Sequence, residues 1–264
     1  MSKRNSQAAK QAARERLRIE RERQAKKDKM RRQLIVAASV VGVLAVAGGI
    51  GYAIVQANQP TYWDEAKDNK LVKPAGATGK DGTTLVIGDK DAKKTLELYE
   101  DPRCPACASF EQAAGEQLAK DVEDGKYKVQ FIGATFIDNA APGEGSKNAL
   151  SALGAALDVS PEAFLDFKSA LYSKENHPSE SDDKFKDDAY LIEIANEVPD
   201  LKDNKAFQKD VEDGTFDKWA LNMSKKFSDG DVEGTPTLKM DGKKLETPQT
   251  LDEYKSTLEA ALKK

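Results

Sequence analysis

From Leu34 to Val55 the chain reads LIVAASVVGVLAVAGGIGYAIV, 22 residues without one charged side chain. As a helix at about 1.5 Å per residue, the run is roughly 33 Å long, enough to cross the hydrocarbon core of a bilayer. The rival reading is a cleaved secretory signal, with Val55 and Ala57 as small residues at cleavage spacing. Signal cores are usually only about 7–15 residues long, so residues 34–55 are read as an uncleaved transmembrane helix. A buried core helix seldom lacks polar contacts over such a length.

The flanks set the expected orientation. Residues 1–33 hold 13 Lys and Arg against four Asp and Glu, a net of +9. Beyond them stand 28 basic and 41 acidic residues, a net of −13. Positive charge stays on the cytoplasmic side, so the N-terminus is expected inside, and the domain after the span outside a single-pass cell-membrane anchor. The basic stretch has helix-forming composition and suits anionic lipid, each cation near the surface adding about 1 kcal/mol. A nucleic-acid-binding arm is disfavoured, because no aromatic residues interleave its cations.

Residues 56–82 contain Pro60, Pro74, Gly76, Gly79 and Gly82 with little periodicity. This composition predicts a flexible linker with an r.m.s. reach of about 30 Å. Tyr62 and Trp63 suit either a membrane interface or the start of a short helix. The domain itself is expected over residues 83–264. Alternation predicts strands at Thr83–Ile87, Lys94–Tyr99, Tyr127–Thr135 and Thr237–Met240, the last leading through Asp241-Gly242 into Lys243–Leu245. Pro105 opens a helix with Cys107, Phe110, Ala114, Leu118 and Val122 on one stripe and Glu111 off it. A helical block fills about residues 146–228, and a last helix about Thr250–Leu262. This order of elements is α/β.

The only cysteines form Cys104-Pro105-Ala106-Cys107. Two cysteines placed at random in such a chain fall three apart about once in 130 trials. The pair lies between a strand and the first turn of a helix. A thiolate at Cys104 would face the unpaired N–H groups and positive end of that helix, which lowers its pKa. Cys107, one turn on, would point inward, placed to resolve a mixed disulfide but not to start one. A structural zinc site wants four ligands, and two Cys plus the single His177 fall short, so no metal or other cofactor is expected. A structural disulfide would close almost no loop and stabilise little. A redox pair is the preferred reading.

Strand, CxxC, helix and a distant Thr-Pro before a hairpin resemble the thioredoxin fold, and the helical block between its halves resembles the DsbA-like branch. The segments concerned are YEDPRCPACASFE, Tyr99–Glu111, and EGTPTLKMDGK, Glu233–Lys243, within a resemblance spanning about residues 83–262. It implies a thiol-disulfide oxidoreductase with Cys104 as nucleophile and Cys107 as resolving thiol, flanking Pro105 and Ala106. It implies a cis Pro236 facing the pair and a Thr235 whose backbone binds an extended substrate. It further implies exported cysteine-containing proteins as substrates and a membrane redox partner that regenerates the pair. Two departures stand out. DsbA has His where this chain has Ala106, so a less oxidising pair is expected than DsbA's, whose potential is about −120 mV. Many relatives carry a buried acid six residues before the first cysteine, where this chain has Leu98. Glu97 and Glu100 flank it, Glu97 on the opposite face, leaving Glu100 as the candidate for proton transfer. Glu100, Asp101 and Arg103 are otherwise read as solvated charges, with Arg103 favouring the thiolate. The expected reaction is oxidation of exported proteins. Reduction of disulfides, for example in cytochrome maturation, and a non-catalytic binding module are the alternatives.

Overall fold

The computed structural model describes residues 2–57 and 59–263, in two compact units, Met1–Thr61 and Tyr62–Lys264. In the first, helix α1 runs Ser2–Ala57, so the basic arm and the apolar run are one continuous helix of 56 residues. Its stretch from Ala12 to Val55 is long and apolar enough to cross a membrane, and none of its apolar window is buried by protein. Leu34, Val41, Val43 and Leu44 are about two-thirds exposed, as suits side chains that meet lipid rather than a core.

The second unit opens earlier than its composition suggests. A short helix α2, Tyr62–Ala66, buries Trp63 and Ala66. The Tyr62 hydroxyl donates to Asp217 Oδ2 at 2.6 Å, Ala75 N donates to Asp158 Oδ1 at 2.8 Å, and Trp219 Nε1 donates to Gly82 O at 2.7 Å. Residues 62–82 are therefore pinned to the domain rather than forming a linker. Their Pro and Gly content sets turns, but contacts from residues more than 80 positions away hold them in place.

After β1 (Leu85–Ile87) and β2 (Thr95–Glu100) come α3 (Pro105–Glu123) and β3 (Lys128–Gly133). Helices α4 (Ile137–Ala140), α5 (Gly145–Val159), α6 (Pro161–Leu171), α7 (Asp188–Ala195), α8 (Lys205–Glu212) and α9 (Asp217–Ser228) follow, with a 3-10 turn at Lys184–Lys186. The chain ends with β4 (Thr237–Met240), β5 (Lys243–Lys244) and α10 (Leu251–Leu262). The sheet order is β1-β3-β2-β4-β5. β2 and β3 are parallel, joined by the α3 crossover, and the other pairings are antiparallel.

Local signals account for most boundaries. Pro105 and Pro161 stand in the first turns of α3 and α6. Ser160 Oγ accepts from Ala163 N at 2.9 Å, and Asn204 Oδ1 accepts from Ala206 N and Phe207 N at 3.1 Å, capping α6 and α8. β2 alternates, with Leu96, Leu98 and Glu100 buried and the residues between them half-buried. The Phe110 and Tyr254 rings, 6.4 Å apart, join α3 to α10. Tyr99, on the other side of β2, meets Phe227 of α9 at 6.4 Å. α5 is the centre of the helical insertion. Leu150, Leu153 and Leu157 are buried, and so are Ala149, Ala152, Ala155 and Ala156, so this helix has almost no solvent face. A Cβ at Gly154 would lie 2.8 Å from the Trp219 ring, so glycine there lets α5 and α9 approach closely.

Candidate active site

The alternation of β2 delivers Glu100 to the core, and the chain then turns through Asp101-Pro102-Arg103 into Cys104, the N-cap of α3. Cys104 is 6% exposed, Cys107 is sealed, and Pro105 and Ala106 between them face solvent. Both thiols are free. The Thr235–Pro236 peptide is cis, and Cys104 Sγ lies 3.5 Å from the Thr235 carbonyl oxygen. The fold thus brings Cys104, Cys107, Thr235 and Pro236 to one place from the two ends of the domain.

The two thiols are driven apart electrostatically. A hydrogen bond from the Cys107 thiol overrides the cost of burial and brings the Cys104 pKa down to about 6, helped by the Thr235 side chain and the backbone N–H groups of Cys107 and Ala106. Cys107 is pushed well above the ordinary thiol range, first by burial, then by donating to Cys104, then by the nearby Glu100. These shifts favour a thiolate at Cys104 and a protonated thiol at Cys107 near neutral pH.

Glu100 is fully buried, not solvated, and its pKa rises to about 7 because burial outweighs the attraction of Lys168. Lys168 Nζ, from α6, lies 3.2 Å from Glu100 Oε2 and donates to Glu111 Oε2 at 2.5 Å. Among the described residues, Glu100 Oε1 has no hydrogen-bond partner. Burial alone would discharge Lys168, but the two carboxylates keep it a cation. Glu111, expected off the buried stripe of α3, is only 7% exposed, because it follows Cys107 by four residues and shares its side of the helix. Tyr172 is sealed beside the cysteines, with Lys168 5.5 Å from its ring centroid.

Asp101 and Arg103 are likewise buried. Asp101 accepts from Arg103 N at 3.0 Å, Ser146 Oγ at 2.6 Å and Ile137 N at 3.0 Å, while burial raises its pKa to about 6. Arg103 pairs with Asp138 at 2.9 Å and Asp183 at 3.2 Å, so its charge is spent on these carboxylates rather than on the thiolate. His177 Nε2 lies 3.1 Å from Pro102 O, two residues before Cys104.

Glu100 was traceable: it lies two residues beyond Leu98 on the same strand, and period two places both on one face. Lys168, Tyr172 and His177 carried no local signal, since they reach the site only through the packing of the insertion.

Residues 80–260 match the family model described as thioredoxin. A curated relative, disulfide bond formation protein D of Bacillus subtilis, is 25% identical over 179 residues, covering 67% of this chain and 77% of that protein. Among solved structures, oxidised DsbA of Mycobacterium tuberculosis aligns with a TM-score of 0.58 at 25% identity, over 69% of this chain and 93% of that one. The reduced disulfide bond oxidoreductase DsbG of the same organism aligns at 0.57 and 25% identity, over 75% and 97%. With the cysteine pair at a helix start, the cis proline against it and an inserted helical block, these matches show that the chain belongs to the thioredoxin family, as a DsbA-like thiol-disulfide oxidoreductase.

Proposed function

We propose that the protein oxidises cysteine pairs of exported proteins at the outer face of the cytoplasmic membrane. The observation that carries this reading is the opposite displacement of the two thiols, Cys104 down to about 6 and Cys107 far up. A stabilised thiolate favours the reduced enzyme, and so makes the disulfide a better oxidant.

A substrate thiolate attacks Cys104 Sγ of the Cys104–Cys107 disulfide. The S–S bond breaks, and Cys107 leaves as a thiolate. It takes a proton from Glu100, whose carboxyl is half protonated near pH 7 and which acts electrostatically on Cys107. Lys168 then balances the Glu100 carboxylate. A second substrate thiol loses its proton to water and attacks the substrate sulfur of the mixed disulfide, releasing Cys104 as thiolate. Two electrons have passed from substrate to enzyme, and a membrane redox partner removes them. Thr235, whose carbonyl oxygen lies 3.5 Å from Cys104 Sγ, lines the path of an extended substrate beside cis Pro236. The 13 basic residues before the apolar run support an inward N-terminus, with anionic lipid as the partner of the arm.

One observation favours reduction instead: Ala106 offers the thiolate no polar side chain. The potential of the pair in full-length protein decides. A value near thioredoxin's, about −270 mV, would sink oxidation in favour of reduction. Oxidative refolding and insulin reduction, each with Cys104→Ser as control, test catalysis itself. Neither assay depending on Cys104 would leave only a binding role. A reporter fused after Gln59 that works only in the cytoplasm would overturn the topology.

A further inference from the structure

Pro102 sits in the buried turn ahead of Cys104. As a proline it brings no N–H, and its carbonyl needs a donor from elsewhere. That donor comes from the helical insertion. His177 Nε2 lies 3.1 Å from Pro102 O, and the acceptor requires the proton to be on Nε2. The imidazole stacks on Tyr172 with centroids 5.8 Å apart and meets the Phe185 ring edge-on at 5.9 Å. Burial pulls its pKa below the ordinary histidine value, so it is the neutral ring that bonds Pro102.

The next residue is held from the same segment. Arg103 Nη2 donates to Glu180 O at 2.8 Å, and Nη1 reaches Asp183 at 3.2 Å beside Asp138 at 2.9 Å. Asp183 is itself fixed by the N–H groups of Glu144 and Gly145, at 3.0 and 2.9 Å. Residues 177–183 thus grip both residues that precede the nucleophile. Cys104 N in turn donates to Asp101 O at 2.9 Å, so the turn is braced at its base as well.

We propose that His177 is a positioning residue for the nucleophile: its hydrogen bond to the Pro102 carbonyl holds Cys104 at the N-cap of α3, where Sγ meets its hydrogen-bond donors. The inference rests on Cys104 being the nucleophile. Hydrogen bonds to a sulfur weaken steeply with misalignment, so a turn that shifts carries Sγ away from the N–H groups of Ala106 and Cys107. The insertion then contributes to the chemistry by aiming the thiolate.

The test uses full-length protein in detergent. His177→Phe keeps a ring between Tyr172 and Phe185 but has no donor, whereas His177→Gln keeps an N–H without the ring. Thiolate absorbance against pH, and iodoacetamide alkylation at pH 5, report on Cys104. His177→Phe should raise the titration by half a unit or more, slowing alkylation about threefold, with His177→Gln within about 0.2 unit of the parent. A titration in His177→Phe that overlies the parent, or one displaced equally in both variants, overturns the proposal. Cys104→Ser separates the two claims: alkylation that persists in it refutes the nucleophile assignment and the His177 proposal with it, whereas a His177→Phe titration overlying the parent in protein whose alkylation needs Cys104 refutes the His177 proposal alone. Should either substitution prevent folding, the unaltered protein still decides. It holds a single histidine, and 15N-labelled histidine must show the Nε2–H tautomer, the Nδ1–H form overturning the proposal.

Discussion

Titrating the active-site potential from pH 5 to pH 8 reads the stabilisation of Cys104 directly. Reduction of the disulfide delivers two electrons. Below the Cys104 pKa it also takes up two protons, and the potential falls by about 59 mV per pH unit. Above that pKa only Cys107 is protonated, and the fall halves to about 30 mV per unit. With Cys104 lowered from 9.0 to about 6, the break belongs near pH 6. At pH 7 the lowered pKa favours the reduced enzyme about elevenfold over a pair with unperturbed thiols, or about 1.4 kcal/mol. That free energy raises the potential by about 30 mV. Equilibration in glutathione buffers, followed by acid quenching and separation of the alkylated forms, measures the potential at each pH. Glu100→Gln should move the break to lower pH, because Glu100 and the Cys104 thiolate oppose each other's charge. An unbroken slope of about 59 mV per unit up to pH 8 would refute a thiolate held by this site.

Lys168→Met leaves Glu100 and Glu111 buried without their cation, and should destabilise the domain by about 3–5 kcal/mol in urea at pH 8, less at pH 5, where a proton on Glu100 offsets part of the loss. Equal stability of variant and parent at pH 8 would remove Lys168 from the network. Because burial raises Glu100 from 4.5 to about 7, its favourable contribution is complete below its unfolded pKa and is lost as pH climbs through 7. Glu100→Gln should therefore gain about 2–3 kcal/mol on the parent between pH 5 and pH 8, and parallel stability curves would contradict this. Trp63→Ala should cost about 3–5 kcal/mol within one cooperative unfolding transition. A loss under about 1 kcal/mol would return residues 62–82 to the status of a tether.

Strand alternation and the proline at the head of α3 made the α/β layout legible, since those signals act over a few residues. Thr237–Met240 has the same limits in the sequence reading and in the structure, β2 keeps its expected length but lies one residue further on, and β1 and β3 are shorter than their periodic patterns. Other features depended on partners far along the chain. Residues 62–82 have loop composition, yet Asp217, Trp219 and Asp158 hold them. Arg103 reads as solvated because an isolated arginine belongs in water, and only the meeting of Asp138 with Asp183 makes its burial tolerable. The leucine stripe of α5 predicts one apolar face, but its alanines let neighbours close on nearly every side, which a polar-versus-apolar pattern does not register. Glu100 differs: period two carries it to the same buried face as Leu98, but a carboxylate there is tolerable only because Lys168 of α6 reaches it.

Beside Glu100 and the first turn of α3, several residues that enclose the Cys104–Cys107 site lie far downstream: Lys168, His177, Asp183 and Thr235. Translation runs from the N-terminus, so both sulfurs emerge before any of these partners exists. In the growing chain they titrate like ordinary cysteines, near pH 8.5, and are mostly protonated at neutrality. Arrival of the Thr235 segment completes both the sheet and the surroundings of the thiolate. Reactivity is thereby deferred to the end of assembly, and a half-made chain has little power to shuffle disulfides in its neighbours or in itself.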